Sequence, residues 1–287
     1  MRDYIIVTDS DTELPYEYAE ENKIPVFLMP YTIDNDEKLY DLGKDEKVEK
    51  EFYKKLREGA TATTSTRPPV DIANFYKEQL DKGLDILYLC FSSELSGHYN
   101  LSCMAAEEIL AEYPDARLEV VDTKSISMPA GLIVMKAIDL KNQGKSLDEV
   151  LKWVEDNKNK ATAWFAVDDL GFLKRGGRLS GSQAFLGTLL DIKPILTINE
   201  EGKIVNIDKL NGLNKVKRYM VEKVAEFLES PDSPVYILHA DCEDVAADLK
   251  NKILEKTQAK DVRIKMVGPV IGSHAGPGTL AVVYFRK

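Results

Sequence analysis

The chain is poor in the residues from which disulfide scaffolds, metal centres and membrane spans are built. Its 287 residues include only three cysteines and three histidines. Cys90, Cys103 and Cys242 are odd in number and form no Cys-x-x-Cys pair, so buried thiols in a cytosolic protein are the simplest reading. His98, His239 and His274 offer no His-Glu-x-x-His or Cys/His spacing, and no metal is expected. The stretch His239-Ala-Asp241-Cys-Glu243-Asp244 reads as a strand end, a loop and an acidic helix start capped by Asp244 or a neighbour. No apolar stretch approaches the ~20 residues of a membrane helix. Met1–Ser10 has only Ile5-Ile6-Val7 before Asp9, which does not fit a signal-peptide core. A cytoplasmic location with at most transient membrane contact is therefore expected.

Basic charge is also in deficit. Lys and Arg number 38 against 48 Asp and Glu, a net charge of −10, and the pI is near 5.0. This argues against nucleic acid as a partner, because phosphate binding relies on Lys and Arg. Nucleotide and hydrolase signatures are missing as well: there is no Gly-x4-Gly-Lys-Ser/Thr, no Gly-x-Gly-x-x-Gly after the first strand, and no Gly-x-Ser-x-Gly elbow.

What is present is an α/β pattern in two parts. In the first, Tyr4–Thr8, Asp85–Phe91 and Arg117–Val121 are near-continuous apolar runs. Helical segments are predicted over 70–80, 101–111 and 132–141. Apolar strands alternating with helices imply a parallel sheet covered on both faces, with ligands at loops leaving the carboxyl ends of its strands. In the second part, strands are predicted over 162–167, 194–198, 203–207, 235–239, 262–267 and 279–285. The short turn Asn199-Glu-Glu-Gly-Lys203 marks an antiparallel hairpin. Helical spacing recurs at Val216, Met220, Val224 and Phe227, and at Val245, Leu249 and Ile253. The polar stretch Glu155–Lys160 divides the chain into domains 1–158 and 159–287. The charge run Asp34–Glu51 reads as a solvated loop and helix start, and Asp168-Asp169 as two carboxylates pointing different ways.

Four segments rich in hydroxyls and glycine stand out. They are Thr61–Pro69, Ser92–Tyr99, Lys174–Gly181 and Gly268–Gly278. Singly, each has an ordinary reading as a helix cap or a Gly-Pro turn. Together, their hydroxyls, free backbone N–H groups and one imidazole are donors suited to a small anion. Burying a carboxylate costs several kcal/mol, and each hydrogen bond to a charged group returns about 1.5–3 kcal/mol. Three or four converging donors could hold such an anion without a fully buried Lys or Arg.

With these residues in place, the chain resembles the DegV family of bacterial fatty-acid-binding proteins, which includes the binding subunits of a two-component fatty acid kinase. The matches are ordered along the chain: Val7-Thr8-Asp9-Ser10; Ser92-Ser93-Glu-Leu-Ser96-Gly97-His-Tyr99-Asn100; Val120-Val121-Asp122-Thr123; Gly176-Gly177-Arg178-Leu179-Ser180; and His274-Ala-Gly276-Pro277-Gly278-Thr279. The resemblance implies an N-terminal Rossmann-like parallel sheet, a C-terminal α/β domain with a mainly antiparallel sheet, and a ligand slot between them. It implies that a long-chain fatty acid is the ligand and that no cofactor is needed. By the same resemblance, the carboxylate falls to Ser65 and Thr66, with Thr64 beside them, and to Ser93, Ser96, Gly97, His274 and Gly276. The partner it implies is a fatty acid kinase catalytic subunit, which would do the phosphorylation. The loop Lys174–Arg178 is assigned to that partner's interface, through Arg175 and Arg178, or to the head-group entrance. Three positions depart from the family pattern: Arg67 replaces an amide, His98 puts a titratable group near the head-group site, and Pro129 stands where a small residue is usual. Residues 185–190 and 164–167 are candidates to line the slot, although apolar residues at such spacings more often belong to plain core.

Two other readings compete. One is an acyl hydrolase or acyltransferase with Ser93 or Ser96 as nucleophile and His274 as base. The other is a sugar-phosphate or nucleotide binder using the basic loop Lys174–Arg178.

Overall fold

The computed structural model describes residues 2–179 and 192–287. Three sheets and ten helices are assigned among them. The first part contains strands β1 (Tyr4–Asp9), β2 (Val26–Phe27), β3 (Pro30–Ile33), β4 (Asp36–Leu39), β5 (Ala62–Thr64), β6 (Asp85–Cys90) and β7 (Leu118–Asp122). Its helices are α1 (Tyr16–Glu21), α2 (Glu46–Arg57), α3 (Pro69–Leu80), α4 (His98–Leu110), α5 (Ser127–Asn142) and α6 (Leu147–Asn157).

The parallel sheet has the order β2-β1-β6-β7. From β1 the chain goes first to one side, into β2, and later to the other, into β6. The order therefore reverses between β1 and β6. In open α/β sheets the crevice at such a reversal, beyond the carboxyl ends of the strands, is where ligands bind. The segments leaving those ends are Ser10–Thr12 and Ser92–Gly97.

A second, three-stranded antiparallel sheet, β4-β3-β5, lies outside the sequence-based expectation. It occupies part of the Asp34–Glu51 charge run. Asp34 and Asn35 both have positive φ, 54° and 61°, the geometry of a tight hairpin turn. Nor is that run wholly solvated: Tyr40, Leu42 and Glu49 are buried, and the Tyr40 hydroxyl lies 3.2 Å from Glu49 Oε1.

The second part begins with β8 (Ala161–Ala166) and α7 (Gly171–Arg175), followed by β9 (Ile192–Ile198), β10 (Ile204–Asn211) and α8 (Leu213–Phe227). It ends with β11 (Val235–His239), α9 (Glu243–Lys256), β12 (Val262–Met266), α10 (Pro269–Ala275) and β13 (Leu280–Phe285). The sheet order is β10-β9-β8-β13-β11-β12, antiparallel except for β11 and β12. Mixed α/β architecture with one parallel and one mainly antiparallel sheet is thus observed. Three details differ from expectation. Glu155–Lys160 is the last turn of α6 followed by a short 3-10 turn (Lys158–Lys160), not an open linker. Gly268–Gly278 contains helix α10, with Pro269 in its first turn, where a missing N–H costs nothing. The cap of α9 is Cys242, without a side-chain cap bond, so Asp244 does not cap it.

Residues of β13 show how the halves meet. Ala281, Val283 and Phe285 join the core cluster that holds the parallel sheet and α5. Leu280, Val282 and Tyr284 join the cluster under α8 and α9. This is the two-residue alternation of a strand covered on both faces. Helix α5 fills the space between the sheets, touching β1 and β6 on one side and β8 and β13 on the other. Every residue from Ser127 to Val134 is buried, as expected of a helix apolar all round. No helix among the described residues is long and apolar enough to cross a membrane.

Burial of Glu49 has a measurable consequence. Desolvation pushes its carboxyl from 4.5 to about 7, so the folded state holds a proton that the unfolded state releases between these values. Stability is then lost as pH rises through that window. At about 1.4 kcal/mol per pKa unit, Glu49→Gln is expected to remove up to about 3 kcal/mol of the loss between pH 4.5 and 8. Urea unfolding of both proteins across that range checks this; parallel pH profiles would contradict it.

Candidate functional site

The structure has a cavity of about 240 Å³ between the carboxyl ends of the parallel sheet and the inner face of the six-stranded sheet. By a comparable measure a single water needs only about 10–15 Å³, so the space suits a ligand of many atoms. Most of its wall is apolar: Met29, Phe91 and Ile126 from the first part, with Phe165, Leu238 and Val270 among those from the second. The polar groups are few: Asp11, Thr64, Ser65, Thr66, Ser96, Ser127, Arg178, His274 and Thr279.

Each polar group is delivered by a specific element. β5 pairs with β3 in the register Tyr31↔Thr64, which holds Thr64 at the end of a strand. Pro68 and Pro69 then start α3, leaving Ser65 and Thr66 in the intervening turn. His274 comes from the last turn of α10. The Thr64 Oγ1 and His274 Nε2 atoms are 2.7 Å apart, which makes Thr64 the hydroxyl bound to the imidazole. Ser65 and Thr66 line the cavity beside it. The His274 ring is also approached by the glycine pair after α7. A Cβ on Gly176 would lie 2.1 Å from His274 Nδ1, so only glycine lets the chain pass there.

Burial, with Arg178 nearby, lowers the His274 pKa from 6.5 to about 4. The imidazole is therefore neutral at pH 7. Arg178 itself spans the two parts of the chain: its Nε donates to the Leu95 carbonyl at 3.0 Å, and it bonds the Gly176 carbonyl as well. Arg175 does not reach the cavity; it is exposed, with its guanidinium 4.5 Å from the centre of the Phe172 ring.

The remaining expected residues divide. Ser96 and Gly97 line the cavity. Ser93 does not: its hydroxyl faces Lys124 Nζ at 3.1 Å and its amide donates to Asp122 Oδ1 at 3.3 Å. Gly276 is a backbone position, with φ of 77°, where a Cβ would enter the Phe172 ring. Neither Ser93 nor Ser96 has a hydrogen bond to His274 among the described residues; Ser96 Oγ accepts from the His98 amide at 3.2 Å. On the wall, Ala163 and Phe165 face the cavity, while Trp164 points outward and donates to the Tyr284 hydroxyl at 2.9 Å. Residues 185–190, with Ser180 and Gly181, lie outside the described residues.

His98 is a correction. It opens helix α4 fully buried and does not line the cavity. Its ring stacks between Phe27 and Phe91, at 5.3 and 5.9 Å, and its Nε2 lies 2.6 Å from the Tyr88 hydroxyl. Burial and Arg67 lower its pKa to about 4. Arg67 caps the same stack, 4.6 Å from the centre of Phe27, and pairs with Asp71 at 3.0 Å. Two of the family departures thus form one continuous stack behind the cavity wall. The third, Pro129, sits in the first turn of α5, where proline is tolerated, and lines the cavity. Asp168 and Asp169 do point apart, to Lys193 at 2.7 Å and to the Gly171 amide at 2.7 Å. Asp11 and Ser127 are cavity residues that motif reasoning missed. Asp11 had a usable signal, since it follows β1 at the carboxyl edge of the sheet.

The model of the family described as "Uncharacterised protein, DegV family" matches residues 4–287. The chain belongs to the DegV family. A DegV domain-containing protein of Clostridium perfringens (strain 13 / Type A) is 41% identical over 285 residues, covering 99% of this chain and 98% of that one. Among solved structures, a DegV family protein from Thermus thermophilus, described as fatty-acid-binding, superposes with a TM-score of 0.87 at 33% identity, with 100% of both chains covered. DegV of Bacillus subtilis, described as a fatty acid binding protein, gives 0.85 at 27% identity, again with 100% of both chains covered.

The neutral state of His274 in this DegV protein is open to direct measurement. In ligand-free protein its ring protons should titrate with a midpoint near 4, assigned by their disappearance in His274→Gln. Arg178→Gln should move that midpoint upward, because a like charge is removed. A midpoint near the ordinary 6.5 in the parent protein would contradict the burial argument.

Proposed function

We propose that this protein binds a long-chain fatty acid in the cavity between its two sheets, with the carboxylate at the Thr64–His274 pair. The observation that carries the reading is an apolar cavity of about 240 Å³ whose few polar groups include this hydrogen-bonded hydroxyl and imidazole. The fatty-acid-binding descriptions of the Thermus and Bacillus structures support it. Each buried methylene contributes about 0.8 kcal/mol, so a ~16-carbon tail offers roughly 12 kcal/mol before ordering costs. The tail supplies affinity, and the polar groups fix the position of the head. Domains 1–158 and 159–287 would then each supply one wall, bridged by Arg178.

The second part of the proposal is presentation of the carboxylate to a separate fatty acid kinase. Ser65, Thr66 and Gly97 line the cavity and are exposed, so the proposed head-group end is within reach of another protein. Exposed Arg175 stands on the neighbouring segment. The rival acyl hydrolase or acyltransferase needs a Ser–His pair, whereas the hydrogen bond of His274 goes to Thr64. A serine-reactive fluorophosphonate is expected to leave Ser93 and Ser96 unlabelled.

Mass spectrometry of a denatured, solvent-extracted sample is the direct test. Near-stoichiometric long-chain fatty acid is expected, and its reproducible absence, combined with no uptake of added fatty acid, would sink the reading. Thr64→Val and His274→Ala should each weaken binding by about 10- to 100-fold, because the bonded pair has one hydrogen left to donate to the carboxylate and either change disrupts that donor. For the kinase step, Arg175→Glu should reduce acyl phosphate formation by the kinase without reducing fatty acid affinity.

A further inference from the structure

One carboxyl in the cavity has a side-chain oxygen that the fold leaves without a partner. Asp11 lies in the short turn after β1, is 3% exposed, and lines the cavity. Its backbone amide is satisfied, donating to Asp9 Oδ1 at 3.0 Å. Its Oδ1 is buried and has no hydrogen-bond partner among the described residues. Buried polar side-chain atoms are nearly always partnered, so the missing partner is expected from whatever occupies the cavity.

Arg178, Thr64 and His274 line the same cavity as Asp11, and His274 holds Thr64. A fatty acid in that cavity offers the unpartnered Asp11 oxygen only one polar group, its own carboxylate. An ionised Asp11 would repel an anion placed there. A neutral Asp11 is a hydrogen-bond donor.

We propose that Asp11 completes the head-group subsite as a neutral carboxyl, its side-chain O–H donating to the carboxylate of the bound fatty acid. The inference rests on the fatty-acid reading given above and adds to it a second side-chain donor, beside the one hydrogen that the Thr64–His274 pair has left, and a proton requirement. The charged and titratable groups facing Asp11 are Asp9 on β1, Glu13 at the end of the same turn, and Arg178 from the loop after α7. Burial and the two acids raise the Asp11 pKa, against the opposing effect of Arg178. An arriving carboxylate adds a further negative charge and favours the protonated form again. Above the Asp11 pKa of the free protein, each binding event then takes up one proton from water.

The test is the dissociation constant of palmitate on delipidated full-length protein from pH 6 to pH 10, where the free ligand stays ionised. Wild type should lose affinity at high pH, approaching about tenfold per pH unit for one-proton linkage. Asp11→Asn keeps an N–H donor that does not titrate, so its profile should be much flatter, while Asp11→Leu should bind more weakly than wild type at pH 6. The slope should persist in His274→Gln, whose affinity is lower throughout. A wild-type loss of affinity at high pH that Asp11→Asn keeps in full, or an Asp11→Leu affinity equal to wild type at pH 6, would each overturn the proposal. If the variants do not fold, infrared difference spectra of wild type with ¹³C-carboxyl palmitate at pH 8 decide. A protonated-carboxyl band from the protein that shifts on ligand addition supports the proposal, and an unshifted spectrum in that region overturns it. Failure of wild type to bind palmitate at any pH would instead reject the fatty-acid reading itself.

Discussion

Helix α5 has no solvent-facing side over its first two turns, and the rest of the structure follows from that constraint. Residues Ser127 to Val134 are buried all round, so one sheet cannot cover them. The parallel sheet closes on one side and the six-stranded sheet on the other. Two twisted sheets held apart by a helix leave space where the helix begins. That space is the cavity, and Ile126, Ser127 and Pro129 at the start of α5 form part of its wall. The same arrangement aims the carboxyl ends of β1 and β6 at the inner face of β8 and β13. Packing and cavity are therefore one geometric solution.

The polar end obeys a second constraint, the cost of burying charge. Its groups are kept neutral or shared with backbone. His274 is neutral because it is desolvated beside Arg178. The Arg178 charge is spread over two carbonyls, those of Leu95 and Gly176. Around Asp9, Asp11 and Glu13 burial raises every carboxyl, Asp9 to about 7. A net charge of −10 on the whole chain is thus compatible with a site for an anion, because the local set of donors and nearby charges matters more than the total.

Much of the fold was legible because the central strands are covered on both faces. Tyr4–Asp9, Asp85–Cys90 and Val235–His239 are nearly all buried, and such strands read as unbroken apolar runs. The β4-β3-β5 sheet was not legible. Its edge strand Asp36–Leu39 is exposed throughout and charged, as edge strands often are, so it looks like loop. Helix α10 was hidden for another reason: Gly268-Pro269 resembles a turn, yet proline in a first turn is compatible with a helix. Among site residues, Thr64, Ser65, Thr66, Ser96, Gly97 and His274 were found through their motifs and do line the cavity, and Arg178, expected at a partner interface, lines it too. Ser93, also found that way, turns instead to Lys124, a choice made by a residue distant in sequence.

The amino-acid sequence by itself determined the layering of apolar strands and helices, the hydroxyl- and glycine-rich loops, and family membership. These are properties of local order along the chain, and burial on two faces writes them into composition. Only the tertiary structure decided which donors converge. Thr64 and His274 are separated by 210 positions yet are 2.7 Å apart. Asp11, from the turn after β1, lines the same cavity, and His98 leaves the site for an aromatic stack. Such proximity arises from how two sheets close on α5, and no local pattern encodes a distance between residues so far apart in the chain.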